Sequence, residues 1–290
     1  MLPPVPSQLV KIFAPRGPLQ QFRFADVTSF VCFRCGQVKK SKLITVYGKD
    51  WNRCLCNGCY GRLLSLYEIK AGTEADDPRA DRIAEILLSL VGVDDLRQAE
   101  TRLRANEERA KHLAPETVRY LATSEYVALH LQDGADLEWS PAIIGLCKAV
   151  ELEIVRRILR PLATQASQEN LNADKQDKEL GRVAAFCADQ TRKPPELGAF
   201  SYFLQTAAHS QERRATSPLL RSLLRVSSAW AGSHWVLDPG GFCEALRILT
   251  CRFRNPASHI DELGQDDYRQ CRDLVLGKDG LLWRLVVSTQ

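Results

Sequence analysis

Long hydrophobic runs are missing from this chain. A membrane-spanning helix needs about 18 consecutive apolar residues, and no stretch approaches that length. The opening residues, Met1 to Pro6, are rich in proline and lack a basic segment followed by an apolar one, the pattern of a secretion signal. We therefore expect a cytoplasmic protein with no membrane partner.

Acidic residues are scarce at the start of the chain. Residues 1–72 contain 11 Lys and Arg but only 3 Asp and Glu, a net charge of +8, whereas the remaining residues contain 28 against 32, a net charge of −4. A basic segment favours a polyanionic partner, because binding to phosphates releases counterions. The alternative is a solvated charged surface with no specific partner.

Cysteine is concentrated in the same segment: five of the ten cysteines lie between residues 32 and 59. Two pairs, Cys32 with Cys35 and Cys56 with Cys59, form Cys-x-x-Cys turns in which no histidine or carboxylate lies. This spacing is typical of a four-cysteine Zn²⁺ site. Four thiolates would fill a tetrahedral shell, so we predict a structural rather than a catalytic metal. Cys54 is a fifth thiol, and the Cys54-Leu-Cys56 order leaves open which of the two is the ligand. We predict Cys56, because only it forms a two-residue turn with Cys59.

The residues around the cysteine pairs predict the local structure of this module. A β-branched run from Lys42 to Tyr47 predicts a strand, and the run from Arg62 to Tyr67 predicts a helix. We interpret both cysteine pairs as tight glycine-containing turns. The order resembles a zinc ribbon or a treble-clef finger, so we predict a zinc-binding module over residues 1–72.

The rest of the chain has helical patterns, and the whole is predicted to be mainly α. Residues 73–114 alternate in charge sign and predict a helical connector. Residues 115–290 predict a helical bundle, with a polar loop at 165–176. Its expected helices include Pro115 to Leu131, a helix opened by Ser140 and Pro141 that runs to about Leu159, Leu197 to His209, and one opened by Ser217 and Pro218.

A candidate catalytic motif lies at Arg254, Asn255 and His259. Arg254 keeps its charge and can clamp a phosphate, Asn255 can orient a partner, and histidine is suited to proton transfer near neutral pH. Five steps of about 100° on an unbroken helix would place Arg254 and His259 roughly 140° apart. Because Pro256 disfavours helical dihedrals at Asn255, we predict a break that lets the two side chains converge.

The spacing alone carries little weight, since an arginine five positions before a histidine is expected by chance in roughly one of two such chains. The alternative interpretation is that Arg254 pairs with Asp261 or Glu262 and that His259 caps a helix.

The motif Arg254-Asn255-x-x-x-His259, together with Ser140 to Ile154, resembles the HEPN superfamily of helical domains over about residues 115–290. The resemblance implies a HEPN-like bundle that forms a homodimer with the two motifs facing each other and cuts RNA without a metal. It also implies a polar residue of the first long helix near the motif, here Glu151. For Glu151, however, an ion pair with Lys148 is the more ordinary expectation.

The leading functional prediction is therefore a metal-independent endoribonuclease that uses the 2′-hydroxyl of RNA as nucleophile. Its active site would lie at a dimer interface, and the basic zinc module would bind RNA or a regulatory partner. The resemblance extends this to a toxin or antiviral defence effector. Two alternatives remain: a catalytically inactive dimeric RNA-binding or scaffold protein, and a zinc-ribbon DNA-binding regulator.

Overall fold

A computed structural model describes residues 9–72, 76–90, 92–131, 138–259 and 263–290. The chain is 66% helical, with one small sheet near its N-terminus, which confirms the mainly α class. It divides into two compact units, Met1–Ile86 and Leu87–Gln290. None of the described helices is long and apolar enough to cross a membrane.

The N-terminal unit contains a four-stranded antiparallel sheet in the order β1-β2-β3-β4. The strands are β1 Leu9–Ile12, β2 Leu19–Val31, β3 Val38–Tyr47 and β4 Asp50–Leu55. The β2–β3 ladder shifts register after Arg23, so that four residues of β2 stand against one of β3. Such a bulge bends a strand pair. Beyond it, Phe30 is buried while its neighbour Val31 is half exposed.

Helix α1, Asn57–Ala71, follows the sheet directly and completes the cysteine-bearing part of this unit. The predicted strand and helix of this module are both present, and each is longer than its sequence signal. The interpretation of both cysteine pairs as turns is wrong for the second pair: Cys56 is the N-cap of α1, and Cys59 lies in its first turn. Because α1 begins here, its unpaired N-terminal amides lie beside the thiols, and the N–H of Cys56 points to the sulfur of Cys32.

The segment expected to be a connector is divided between the two units. Helix α2, Asp76–Leu90, contains the boundary, and α3, Val93–Asn106, packs on α4, Pro115–Leu131, within the C-terminal unit. The charged pattern conceals buried apolar positions at Leu87, Ala99, Ala110 and Leu113. These residues give the segment a core contact, which explains why most of it belongs to the larger unit.

The centre of the C-terminal unit is α5, Ser140–Ile154, whose side chains are almost all buried. It opens with proline in the first turn, as predicted, but its N-cap is Trp139 rather than Ser140. A π-helical turn, Val155–Leu159, continues it into α6, Arg160–Ala166. The polar loop expected at 165–176 is partly helical, because α6 reaches Ala166 and α7 covers Asn172–Gln176.

The short helices after α7 pack on α6, on one another and on the segment that begins at Pro239, and they add further core residues. The ends of α4 and α9 coincide with the predicted ones, and Ser217 caps α11 by accepting a hydrogen bond from the Leu220 N–H at 3.1 Å. Beyond α7 and before the motif the helices are α8 Gly181–Ala188, α9 Leu197–His209, α10 Gln211–Thr216, α11 Pro218–Ser227 and α12 Ser233–Leu237.

The motif helix is continuous where a break was predicted. The segment Pro239–Cys243 is kinked at Gly241, whose backbone is not helical, and it leads into α13, Glu244–Ile248. A π-helical turn, Leu249–Arg254, follows α13, and α14, Asn255–Ser258, continues it without interruption. Asn255 is helical (φ −67°, ψ −51°), and its N–H donates to the carbonyl of Thr250, five residues back. This wider turn relieves the clash that a proline ring causes with the preceding turn, so Pro256 is accommodated.

The helix instead ends at His259, whose backbone is extended. Two helices complete the chain: α15, Gln265–Leu276, and α16, Leu281–Ser288. Both α15 and the motif helix pack against α5.

Candidate functional site

Four cysteines of the N-terminal unit form one group. The sulfur atoms of Cys32, Cys35, Cys56 and Cys59 all lie within 4.8 Å of one another, and those of Cys35 and Cys56 are 4.0 Å apart. A tetrahedral Zn²⁺ with Zn–S bonds of about 2.3 Å separates its sulfurs by about 3.8 Å. The group therefore has the size and the soft donor atoms that a tetrahedral metal ion requires.

Local backbone structure holds each half of the group. The first pair follows β2, where Gly36 adopts a positive φ of 67° and its N–H donates to the carbonyl of Cys32 at 2.8 Å. The second pair lies at the start of α1, and the N–H of Cys56 points to the sulfur of Cys32 at 3.4 Å. Residues from a β-turn and a helix N-terminus, 24 positions apart, thus meet at one point.

The thiols interact electrostatically. The Cys59 thiol donates a hydrogen bond that, together with the amides of Cys35, Cys56 and Arg34, lowers the pKa of Cys32 to about 4 despite burial. The same interaction raises the pKa of Cys59, since loss of its proton would place two thiolates side by side. A divalent cation would remove this conflict by favouring every thiolate.

Cys54 lies outside this group. Its side chain is 2% exposed and its thiol donates to the Trp51 carbonyl at 3.2 Å. Burial raises its pKa, which suits a neutral thiol in a small apolar site. The question left open by the sequence is thereby answered geometrically, because Cys56 is the residue that joins Cys32, Cys35 and Cys59.

The Arg254 motif lies at the end of the helix that follows Pro239. Arg254 is 4% exposed, and its Nη1 donates to Asn255 Oδ1 at 3.0 Å. His259 is exposed, and its backbone N–H donates to the carbonyls of Asn255 and Pro256 at 3.1 and 3.0 Å. The arginine is therefore held by its neighbour, whereas the imidazole lies at the surface. The alternative partners Asp261 and Glu262 lie outside the described residues.

Glu151 forms the ion pair that its spacing favours. The Lys148 ammonium lies 2.7 Å from Glu151 Oε1, and both side chains are 18% exposed. Glu151 lies on α5, and α5 packs against the helix that carries Arg254. The ion pair gives Glu151 a structural role that does not depend on the motif.

Sequence reasoning missed Glu153, which has no exposed surface. Its carboxylate accepts from the Ala114 N–H and the Thr117 hydroxyl, each at 2.8 Å, and pairs with Arg157. One signal was present in the sequence: position 153 follows the buried positions 146 and 150 at helical spacing. A carboxylate on that stripe had to find buried partners.

Comparisons with known proteins give no relative from which a role for these residues could be transferred. The chain matches no protein-family model, no curated protein and no solved structure.

Proposed function

We propose that Cys32, Cys35, Cys56 and Cys59 bind one structural Zn²⁺ ion. The support is the sulfur spacing, which fits a tetrahedral ion, and the donor set, whose four thiolates would leave no position for a reactive water. The ion would tie the turn after β2 to the N-terminus of α1. This order of turn, hairpin and helix favours a treble clef over a ribbon, whose second ligand pair would come from another turn.

We propose further that the chain is a metal-independent endoribonuclease acting at a homodimer interface. The observation that carries this proposal is the exposed imidazole of His259 at the end of the helix that also positions Arg254 and Asn255. RNA is the proposed substrate because its 2′-hydroxyl supplies an internal nucleophile.

The proposed reaction removes one proton from the 2′-hydroxyl and delivers one proton to the leaving 5′ oxygen. His259 takes the proton of the 2′-hydroxyl, whose oxygen attacks the adjacent phosphorus to form a 2′,3′-cyclic phosphate. The bond from phosphorus to the 5′ oxygen breaks, and His259 of the partner subunit protonates that oxygen. Arg254 offsets the negative charge that accumulates on the phosphate. Two copies are needed because one motif has a single imidazole.

The N-terminal unit is the proposed RNA-binding part. Residues 9–72 carry 11 Lys and Arg against 3 Asp and Glu, and Lys40 and Lys42 are exposed on the same strand. Contacts with phosphates make binding fall steeply as salt concentration rises. A regulatory protein with an acidic surface is the other partner that this charge would suit.

The test is RNA cleavage by the purified protein in EDTA, with the zinc content measured after incubation. We expect products ending in a 2′,3′-cyclic phosphate and a 5′-hydroxyl. His259→Ala should abolish cleavage, whereas His209→Ala, which alters another exposed histidine at a helix end, should retain it. Equal activity of the two variants would exclude His259 as the proton carrier.

A dimeric RNA-binding or scaffold protein without catalysis is the second candidate. The burial of Arg254 and its hydrogen bond to Asn255 favour it, because a held guanidinium is less accessible to a phosphate. Light scattering measures the dimer, and RNA that is bound without being cut would support this candidate.

A toxin or defence role is tested by expressing the protein in growing cells, where His259→Ala should relieve growth arrest.

A further inference from the structure

A recess of about 290 Å³ lies in the C-terminal unit among α3, α4, α15 and α16. Its lining from α3 is Ala99, Arg102, Leu103 and Asn106, which lie at helical spacing on one face. This volume is near the lower end of the range for small-molecule sites. The recess involves neither the cysteine group nor the Arg254 motif.

The apolar wall of this recess comes from four different helices. Leu103, Leu129 and Leu276 line it together with Trp283, and Leu129 is 48% exposed. Trp283 is fixed by its indole N–H, which donates to the carbonyl of Leu276 at 3.1 Å. Exposed leucine beside a rigid apolar surface indicates a place where an apolar group can be buried.

One of the two arginines in the lining has no ion pair with the described residues. Glu125 pairs with Arg272 at 2.6 Å, and Glu107 receives both Nε and Nη2 of Arg109 at 2.7 and 2.8 Å. Both carboxylates of the lining are thereby neutralised. Arg102 makes no ion pair or hydrogen bond with any residue that the structure describes, and Asn106 lies one turn along the same face.

We propose that this recess binds a small amphipathic monocarboxylate. Its carboxylate is received by Arg102, with the Asn106 amide as a second donor, and its apolar body packs on the leucines and Trp283. Arginine suits this role because its planar group donates two parallel hydrogen bonds to a carboxylate. Arg102 is the arginine of the lining that has no ion pair with the described residues, so it is the group that can receive a carboxylate.

The test uses octanoate as the probe and octan-1-ol as the neutral match, titrated calorimetrically into the full-length protein. We expect saturable binding of one octanoate per chain. Arg102→Gln should weaken octanoate about tenfold or more, the loss expected for a charge-assisted hydrogen bond, and leave octan-1-ol unchanged. Leu129→Asp should weaken both ligands.

The matched control is Arg104→Gln, which removes an exposed arginine of α3 that does not line the recess. This variant should bind octanoate as the parent protein does. The proposal is overturned if octanoate does not saturate, if octan-1-ol binds as tightly as octanoate, or if the two arginine variants behave alike.

Discussion

Thr117 donates its hydroxyl to the carboxylate of Glu153 at 2.8 Å, and neither residue has exposed surface. The bond joins the first turn of α4 to the last turn of α5. The same carboxylate accepts from the Ala114 N–H and pairs with Arg157, so one acidic group satisfies an unpaired helix amide and a cation at once.

Replacing Glu153 with Ala should lower the free energy of unfolding by about 3 kcal/mol, because it leaves Arg157 and the Ala114 amide without their shared acceptor. Denaturant unfolding measures the loss. Glu151→Ala is the matched control, since it removes an acidic residue of the same helix whose ion pair is partly exposed; it should cost about 1 kcal/mol or less. Equal losses would contradict a special role for the buried carboxylate.

Cys56→Ser should abolish most tight metal binding, whereas Cys54→Ser should retain it. The two thiols are two positions apart, yet only Cys56 lies in the four-sulfur group, and Cys54 donates to the Trp51 carbonyl. Substitution with Co²⁺ gives a sulfur-to-metal absorption band that reports tetrahedral thiolate ligands. A full-strength band in Cys56→Ser, or its loss in Cys54→Ser, would reverse the assignment.

Removing the proposed Zn²⁺ with a strong chelator should unfold the N-terminal unit. The ion would join the turn after β2 to the start of α1, and the four clustered sulfurs cannot all be thiolates without a cation. Circular dichroism should show loss of strand signal that returns when Zn²⁺ is added. Unchanged spectra in the metal-free protein would show that the sheet and α1 are stable by themselves.

Arg213→Met should make the protein less stable at neutral pH but not in acid. The Thr206 hydroxyl and Arg213 lower the pKa of Glu179, and backbone amides and Arg213 lower the pKa of Asp177 despite its burial. A carboxyl with a depressed pKa stabilises the fold above its unfolded pKa and loses that effect as pH falls through its folded pKa. Because these side chains are partly exposed, we expect roughly 1 kcal/mol or less at neutral pH.

Thermal unfolding as a function of pH measures this effect of Arg213. The difference between parent and variant should close as pH falls below about 4, where carboxyl groups become neutral. Arg214→Met serves as control, since Arg214 makes no ion pair with the described residues, and it should give the same small difference at every pH. A pH-independent loss in Arg213→Met would mean that packing, not charge, is responsible.

Gly145→Ala should destabilise the contact between α4 and α5 by about 1–3 kcal/mol, the cost of overpacking. A Cβ at this position would lie 2.9 Å from a Leu87 methyl group and 3.0 Å from the Ser124 Cβ. Gly198→Ala provides the contrast, because its Cβ would meet only a Thr250 methyl group at 3.9 Å. That variant should unfold at the parent temperature or slightly above it.

Where local chemistry decides the structure, the sequence was sufficient. The limits of α4 and α9 follow from apolar periodicity, and the start of α11 follows from a serine followed by proline. The four metal-ligand candidates also follow from spacing, since a Cys-x-x-Cys pair brings two thiols together whatever surrounds it. The mainly α class is the sum of such local signals.

Local rules failed where neighbouring structure compensates for a cost. Proline predicted a break after Arg254, but a wider π-helical turn absorbs the ring and the helix runs on to Ser258. The break that was to bring Arg254 and His259 together is therefore absent, and any convergence depends on the helix end itself. The charged pattern of residues 73–114 predicts a helical connector; it does not show that Leu87, Ala99, Ala110 and Leu113 are buried, which only the packing of the larger unit decides.

By itself, the sequence determined which thiols could bind a metal and where α4, α9 and α11 begin, because these depend on residues within a few positions of one another. Only the tertiary structure decided that Cys54 is buried outside the sulfur group, that Glu153 is buried and Glu151 is not, and that Arg254 is held while His259 is exposed. Each of those outcomes depends on which surface a distant helix or strand covers, and burial is a property of that contact rather than of the local chain.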